Sequence, residues 1–293
     1  MSDLPRFGQY AAAPRQEACP RHPGVQAVGY CKRCNRPVCT QCAVPTEVGS
    51  ICVDCAQPSR ALRFTSVSNM PIATYILLGV AVLGSIINYF WPQWNANFMF
   101  MPTLGASEPW RFVTAVVTHG SLLHLVFNMV SLYFVGQVGE RLAGHWRFAS
   151  LYLLSAIGGS VAILAWSLVN PSTFCSGTVG ASGALYGLLG AVLVVQLRAH
   201  VSVRPILILL GINIIYSFTG SGISWQAHLG GLLTGALVAW IYSVLAQPRR
   251  GVRQSTQHWW EAAATIGVLI VLAGIAWGLY AAAAIPAGYC PAG

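Results

Sequence analysis

Acidic side chains are scarce in this chain: it has seven Asp and Glu in 293 residues, and none lies between Glu140 and Glu261. Chemistry built on paired carboxylates is therefore disfavoured. Lysine is scarcer still, with Lys32 the single one among 16 basic residues, a usage that points to a high-GC bacterium. Charged residues of both signs make up only 8% of the chain and hydrophobic ones 55%, where soluble domains carry roughly a quarter charged. With a mean hydropathy of +0.61, these values exclude a wholly soluble protein and read as a chain solvated largely by lipid. The net charge of +9 raises the question of nucleic acid, but the basic residues are spread along segment flanks rather than gathered in one aromatic-laced patch. Membrane orientation accounts for them better, and no nucleic-acid partner is expected. Residues 1–18 lack the apolar core and cleavage pattern of a signal peptide, so they read as an uncleaved, disordered leader that stays in the cytoplasm. Sustained heptads, internal repeats and low-complexity tracts are also missing.

What the sequence does have falls into two blocks. Seven of its nine cysteines lie between Cys19 and Cys55, and beyond Asn69 the composition changes to long apolar runs. The expected organisation is a leader (1–18), a metal-binding domain (19–57), a linker (58–69), a six-helix membrane core (70–246), and an inner loop, seventh helix and outer tail (247–293).

In the first block, Cys19 and His22, Cys31 and Cys34, Cys39 and Cys42, and Cys52 and Cys55 form four two-ligand knuckles, each with two intervening residues. Eight ligands suit two tetrahedral zinc sites. A disulfide framework is the competing reading, but a cytoplasmic location keeps thiols reduced, and the set contains an odd number of cysteines completed by a histidine. The module resembles a B-box zinc finger, with a final Cys-Cys pair where that family often has His. The resemblance implies a cross-brace in which the first knuckle pairs with the third and the second with the fourth. So small a core would draw most of its folding free energy from metal. Closed four-ligand sites leave no open catalytic position, so the module is expected to be structural and to contact a cytoplasmic protein partner.

The second block has seven apolar stretches, near 70–90, 121–139, 148–168, 179–197, 205–219, 225–246 and 262–285. At about 1.5 Å per residue most can cross a hydrocarbon core of about 30 Å, while the fifth is short. Starting Met70 inside places Arg141, Arg147, Arg198, Arg204, Arg249, Arg250 and Arg253 on the inner side and leaves only Arg111 in the outer connections. The positive-inside rule favours that orientation, with the N-terminus in the cytoplasm of a cell membrane and the C-terminus outside. Residues 91–120 form a long outer connection whose Trp91, Trp94, Phe98, Phe100 and Trp110 suit the membrane interface.

Strongly polar groups within membrane helices are costly and usually functional. Four stand out here: His124, Asn128, Ser182 and His228. A lone serine is more often packing glue between helices. This one lies in Gly180-Ala181-Ser182-Gly183, with Tyr186 one turn on, and Gly231 and Gly235 after His228 form a small-residue face that can bring the two helices together. Neutral imidazole is the available base in a region without acids, and it could activate the serine. If the Ser helix begins near Val179, the His228 helix near Trp225 and the His124 helix near Ser121, all three side chains sit at one shallow, water-accessible depth. His124 and Asn128, one turn apart on the same face, would suit a developing oxyanion together with the Ser182 amide.

Over roughly residues 70–246 the sequence is similar to the rhomboid family of intramembrane serine proteases. The matching elements are Trp110-Arg111, His124 and Asn128, Glu140-Arg141, the Gly-x-Ser-Gly of 180–183, Tyr186, and the Ala-His-x-x-Gly-x-x-x-Gly of 227–235. The resemblance implies an all-α polytopic fold with a six-helix core, here extended by a seventh helix. It implies Ser182 as nucleophile, His228 as base and acid, His124 and Asn128 as oxyanion stabilisers, Tyr186 packed on the His228 ring, and membrane lipids and transmembrane proteins as partners and substrates. A noncatalytic adaptor for client helices is the alternative, and a small-solute transporter is disfavoured by the shared shallow depth. Trp110-Arg111 is expected to brace the outer connection, Glu140-Arg141 to be a solvated structural pair, and His119, His145, His200 and His258 to be solvated. Cys175 and Cys290 both fall on the outer side, where a disulfide and two separate thiols are both open.

Overall fold

The computed structural model describes residues 17–46, 49–56, 70–219, 222–247, 254–283 and 290. Nearly all of the expected leader, the linker 58–69 and the arginines at 249, 250 and 253 lie outside the described residues. The chain divides into two compact units, residues 1–60 and 61–293.

The first unit is built from three antiparallel two-stranded hairpins and one helical turn. Strand β1 (Ala18–Cys19) pairs with β2 (His22–Gln26), β3 (Gly29–Tyr30) with β4 (Pro37–Val38), and β5 (Ala43–Thr46) with β6 (Gly49–Cys52), after which α1 spans Val53–Ala56. Its core is Val38 together with Cys19, Cys31, Cys39, Cys42 and Cys52, all buried. A core of that composition buries little hydrocarbon, so its order must come from what the sulfur atoms bind.

The second unit is helical. It consists of α2 (Ile72–Phe90), the short α3 (Gln93–Phe98), α4 (Pro102–Gly105) and α5 (Arg111–Thr114), then α6 (Leu122–Ala143), α7 (His145–Ser167), α8 (Ser182–Ala199), α9 (Arg204–Thr219), α10 (Trp225–Leu245) and α11 (Gln254–Ala283). Among the described residues, six helices are long and apolar enough to cross a membrane, and α9 is the shorter apolar one. Two thirds of the most apolar stretch of α7 is buried, against 11% of that of α11. Helix α7 is therefore the axis of the bundle, and the other helices present apolar side chains outward, where lipid would solvate them.

Local chemistry fixes the helix ends. The Ser121 hydroxyl accepts from the His124 N–H at 3.2 Å to start α6, and the Ser224 hydroxyl accepts from the Ala227 N–H at 3.4 Å to start α10. Gly144, at φ 83°, ends α6 and turns the chain directly into α7. Arg111 braces the outer connection as its sequence context predicts. It is buried, donates to the Ala96 and Met99 carbonyls at 2.8 and 2.9 Å, and pairs with Glu108.

The expectation of a solvated Glu140-Arg141 pair is not met. Glu140 is fully buried and accepts from the Ala73 N–H at 2.7 Å and from the N–H and hydroxyl of Thr74 at 2.6 Å each, with His145 on its other face. It caps the orphan donors at the start of α2, which its own N-terminal residues leave without a side-chain cap, while Arg141 turns to Gln137. Of the four histidines expected in solvent only His119 is withdrawn from it, while His145 and His258 stay partly exposed and face buried charged partners. His119 is buried beside the Ser85 hydroxyl, His145 meets Glu140, and His258 accepts from Arg147 at 3.0 Å. His200 is exposed as expected and ends α8 in a left-handed conformation.

Helix α11 is anchored at both ends. At its start the buried Arg147 on α7 donates to Glu261 at 2.6 and 2.9 Å, and one turn on the Thr265 hydroxyl meets the Tyr242 hydroxyl at 2.6 Å. Near its far end Tyr280 donates to the Pro102 carbonyl at 2.8 Å, and Cys290 is joined to Cys175 by a disulfide with a Cα separation of 5.6 Å. The sequence left this bridge open because only the fold brings the two Cα atoms within bridging range. Denatured without reductant, the full chain should expose seven alkylatable thiols, and nine after reduction. Nine thiols before reduction would exclude the bridge.

Candidate functional site

Helices α8 and α10 approach so closely that side chains are excluded at their crossing. A Cβ on Gly231 would fall on the Gly183 carbonyl, and one on Gly235 on the carbonyl of Gly187. A Cβ on Gly183 would press the Ala227 carbonyl at 3.2 Å, and one on Gly187 would meet Ser155 of α7. Glycine at these positions is therefore a requirement of backbone proximity, the small-residue packing that drives helix association in lipid.

The crossing sets two side chains against each other. Ser182 is the first residue of α8 and His228 the fourth of α10, and His228 Nε2 lies 2.9 Å from Ser182 Oγ. Tyr186, one turn after the serine, lies flat on the imidazole, with ring centres 4.1 Å apart and planes inclined by 9°. His228 is buried, while Ser182 is only partly so.

Placing the start of the Ser helix near Val179 puts it about one turn too early. Gly180, at φ +115°, cannot continue a helix, and residues 176–180 lie outside any helix, with Thr178 bridged to Phe100 and the Gly180 N–H donated to the Ala115 carbonyl at 2.9 Å, before Ala181 takes the N-cap position of α8. Ser182 therefore stands at the N-terminus of α8, where the first N–H groups have no partner within the helix and the dipole favours negative charge. Gly180 has a second role in this geometry. A Cβ there would overlap the His124 ring, so the glycine admits that imidazole beside the approach to Ser182.

His124 and Asn128 share a face of α6, as their spacing requires. Asn128 is buried and donates one amide N–H to the His124 carbonyl at 2.8 Å, and its other N–H has no partner among the described residues. The structure thus brings Ser182, His228 and Tyr186 into direct contact and sets His124 against Gly180. Gly183, the neighbour of Ser182 in the chain, borders with Gly180, Ser160 and Ala227 a partly open cavity of about 20 Å³ that has room for one water.

One member of the constellation was not found from sequence. Ser217, near the end of α9, is buried with its hydroxyl 2.7 Å from His228 Nδ1 and 2.9 Å from the Tyr186 hydroxyl. The sequence signal was weak, a single serine in a short apolar segment with no motif around it. It could have been picked out as one of the few polar side chains of that helix, near its C-terminal end.

In the first unit the eight ligands form two sets, Cys19, His22, Cys39 and Cys42, and Cys31, Cys34, Cys52 and Cys55, with the ligand atoms of each set within 4.8 Å of one another. This is the pairing of first knuckle with third and second with fourth. The donor sets fit zinc. Tetrahedral bonds of about 2.3 Å to sulfur and about 2.0 Å to nitrogen place sulfurs about 3.8 Å apart and a nitrogen about 3.5 Å from a sulfur. The Cys34 and Cys52 sulfurs are 3.7 Å apart, and His22 Nδ1 is 3.3 and 3.4 Å from the Cys39 and Cys42 sulfurs.

Comparison with known proteins agrees with this division. A family model described as a Rhomboid domain matches residues 106–245, and one described as a B-box zinc finger matches residues 14–50, ending before the last cysteine pair. The putative rhomboid protease YdcA of Bacillus subtilis is 30% identical over 182 residues, 58% of this chain and 88% of its own length. The rhomboid protease GluP of the same organism is 36% identical over 153 residues, half of this chain and 28% of the relative. RHOMBOID-like protein 5 of Arabidopsis thaliana is 32% identical over 151 residues, covering 49% of this chain and 47% of the relative. The chain thus spans less than half the length of two of these three relatives.

Because the α8 and α10 backbones touch, Gly235→Val should force the helices apart and destabilise the unit by about 3 kcal/mol. Gly274→Val on α11, where a Cβ meets nothing within 4 Å, should leave stability unchanged. Thermal unfolding of the two variants in detergent compares them directly, and equal midpoints would refute the packing argument.

Proposed function

Since this chain belongs to the rhomboid family and has a B-box zinc finger at its N-terminus, we propose that it is a serine endopeptidase that cuts transmembrane proteins within or beside their membrane segments. The observation that carries the reading is the 2.9 Å contact between His228 Nε2 and Ser182 Oγ in a stretch with no acidic residue. His228 takes the hydroxyl proton as Ser182 attacks the scissile carbonyl, then returns it to the leaving amine. The oxyanion that develops is met by the Ser182 N–H at the start of α8, by the second Asn128 N–H and by His124. Water then hydrolyses the acyl-enzyme, with the same imidazole as base. Tyr186 holds the ring in plane throughout.

The orientation that suits this reading has the N-terminus in the cytoplasm and the C-terminus outside. Seven helices then carry Cys175 and Cys290 to the oxidising side, where their disulfide is stable, and leave the seven remaining cysteines on the reducing side as thiolate ligands. The zinc unit takes one ion per four-ligand set, two in all. With every ligand position filled by protein, the ions supply folding energy and no Lewis-acid site, and the unit serves as a contact for a cytoplasmic protein.

A fluorophosphonate probe should label the wild-type protein and fail to label Ser182→Ala. Ser182→Ala and His228→Ala should each abolish cleavage of a transmembrane reporter, with the double variant no worse than either. Labelling that persists in Ser182→Ala would remove the nucleophile and leave a noncatalytic helix-binding protein as the better reading. Elemental analysis of the purified full chain should return two zinc ions per molecule; a ratio of one would show that only one ligand set is a metal site.

A further inference from the structure

A neutral imidazole that accepts a proton at Nε2 must carry one at Nδ1, and in this protein the side chain facing Nδ1 is a serine hydroxyl. We propose that Ser217 is a positioning residue that holds His228 in its base-competent tautomer by accepting a hydrogen bond from Nδ1–H, and that it keeps this bond when the ring becomes charged. This inference rests on the Ser182–His228 reading above and deepens it by bringing α9 into the site.

The argument is an accounting of donors and acceptors. Ser217 Oγ has three partners: the Asn213 carbonyl at 2.8 Å, the Tyr186 hydroxyl at 2.9 Å and His228 Nδ1 at 2.7 Å. A hydroxyl has one proton and two lone pairs. The Asn213 carbonyl can only accept, so the Ser217 proton goes there, one turn back along α9. The two lone pairs then accept from Tyr186 O–H and from His228 Nδ1–H. Every donor has an acceptor in this arrangement, and Nε2 is left bare opposite the Ser182 hydroxyl. In the opposite tautomer Ser217 would have to turn its proton to Nδ1, giving up the Asn213 bond, and Nε2–H would face Ser182 as a donor, unable to take its proton. Among the described residues Ser217 is the side chain hydrogen-bonded to Nδ1, so when Nε2 takes a proton and the imidazolium forms, the Nδ1–H already points at this oxygen and its hydrogen bond becomes charge-assisted. Buried at 4% exposure, Ser217 makes that hydrogen bond without competition from water.

Nitrogen-15 spectra of histidine-labelled full-length protein test the assignment directly, with Ser182→Ala used to identify the His228 signals by their shift. Wild-type His228 should be protonated at Nδ1 and bare at Nε2, and the opposite tautomer would overturn the proposal whatever any Ser217 variant does. Ser217→Ala should lower kcat on a transmembrane reporter by about tenfold, the size expected for one hydrogen bond to the transition state, with KM unchanged. It should also give mixed tautomers, and Ser217→Thr, which restores the hydroxyl, should recover both readouts. Wild-type kcat and spectrum in Ser217→Ala would sink the positioning role alone, provided Ser182→Ala is inactive. Activity in Ser182→Ala would instead overturn the dyad on which the role depends.

Discussion

The contact between the α8 and α10 backbones is the constraint on which the site depends. A hydrogen bond between Ser182 and His228 needs their side chains to meet, and both are short relative to the usual separation of 8–10 Å between helix axes. Gly183, Gly187, Gly231 and Gly235 remove the side chains that would hold the helices apart: a Cβ on Gly231 or Gly235 would collide with the α8 backbone and one on Gly187 with Ser155, while one on Gly183 would press tightly on the Ala227 carbonyl. In lipid no hydrophobic force draws two helices together, so such surfaces associate through van der Waals contact and the interhelical polar bonds they permit. Here the same glycines provide the packing and allow the Ser-His bond, so packing and the proposed chemistry are one constraint rather than two.

Buried polarity elsewhere in the helical unit is satisfied locally and ties elements together. Glu140 caps α2, Arg147 and Glu261 join α7 to α11, and Arg111 holds the outer connection. An ionised group without a partner in hydrocarbon costs several kcal/mol, so each of these pairs is hard to break even though its net contribution to folding is modest. They act as registration points. They fix which turn of one helix faces which turn of another, a task that interchangeable Leu and Val side chains do poorly.

Much of this was legible in the sequence because membrane proteins and zinc knuckles write strong local signals. The seven apolar stretches, the short fifth one, the cross-braced ligand sets and the contact of Tyr186 with His228 all follow from run length, spacing and a resemblance carried by several motifs at once. What was missed shares a different physical character. Glu140 was read from its neighbour Arg141 and so placed in water, whereas its partners, Ala73 and Thr74, lie 67 and 66 positions away. Ser217 and the Cys175–Cys290 bridge also depend on contacts between segments distant in sequence, and no local pattern announces them. The helix start expected near Val179 fails for a local reason, since Gly180 takes a positive φ that ends the loop before α8.

The lack of acids in this half of the chain then acquires a physical sense. In a water-filled cleft a carboxylate is the common partner for the Nδ1 of a catalytic imidazole, because it orients the ring and stabilises its charge. At the same position among membrane helices an ionised Asp would carry a desolvation cost of several kcal/mol in every state in which the imidazole is neutral, and that is the resting state. A serine back-bonded to its own helix presents a lone pair in the same direction with no charge to bury, and its dipole is already oriented by the Asn213 carbonyl and the Tyr186 hydroxyl. It stabilises the imidazolium less than a carboxylate would, but it costs far less while the ring is neutral. On this reasoning a neutral orienting group suits the proposed base among membrane helices, where an acid at the same place would carry the larger desolvation cost.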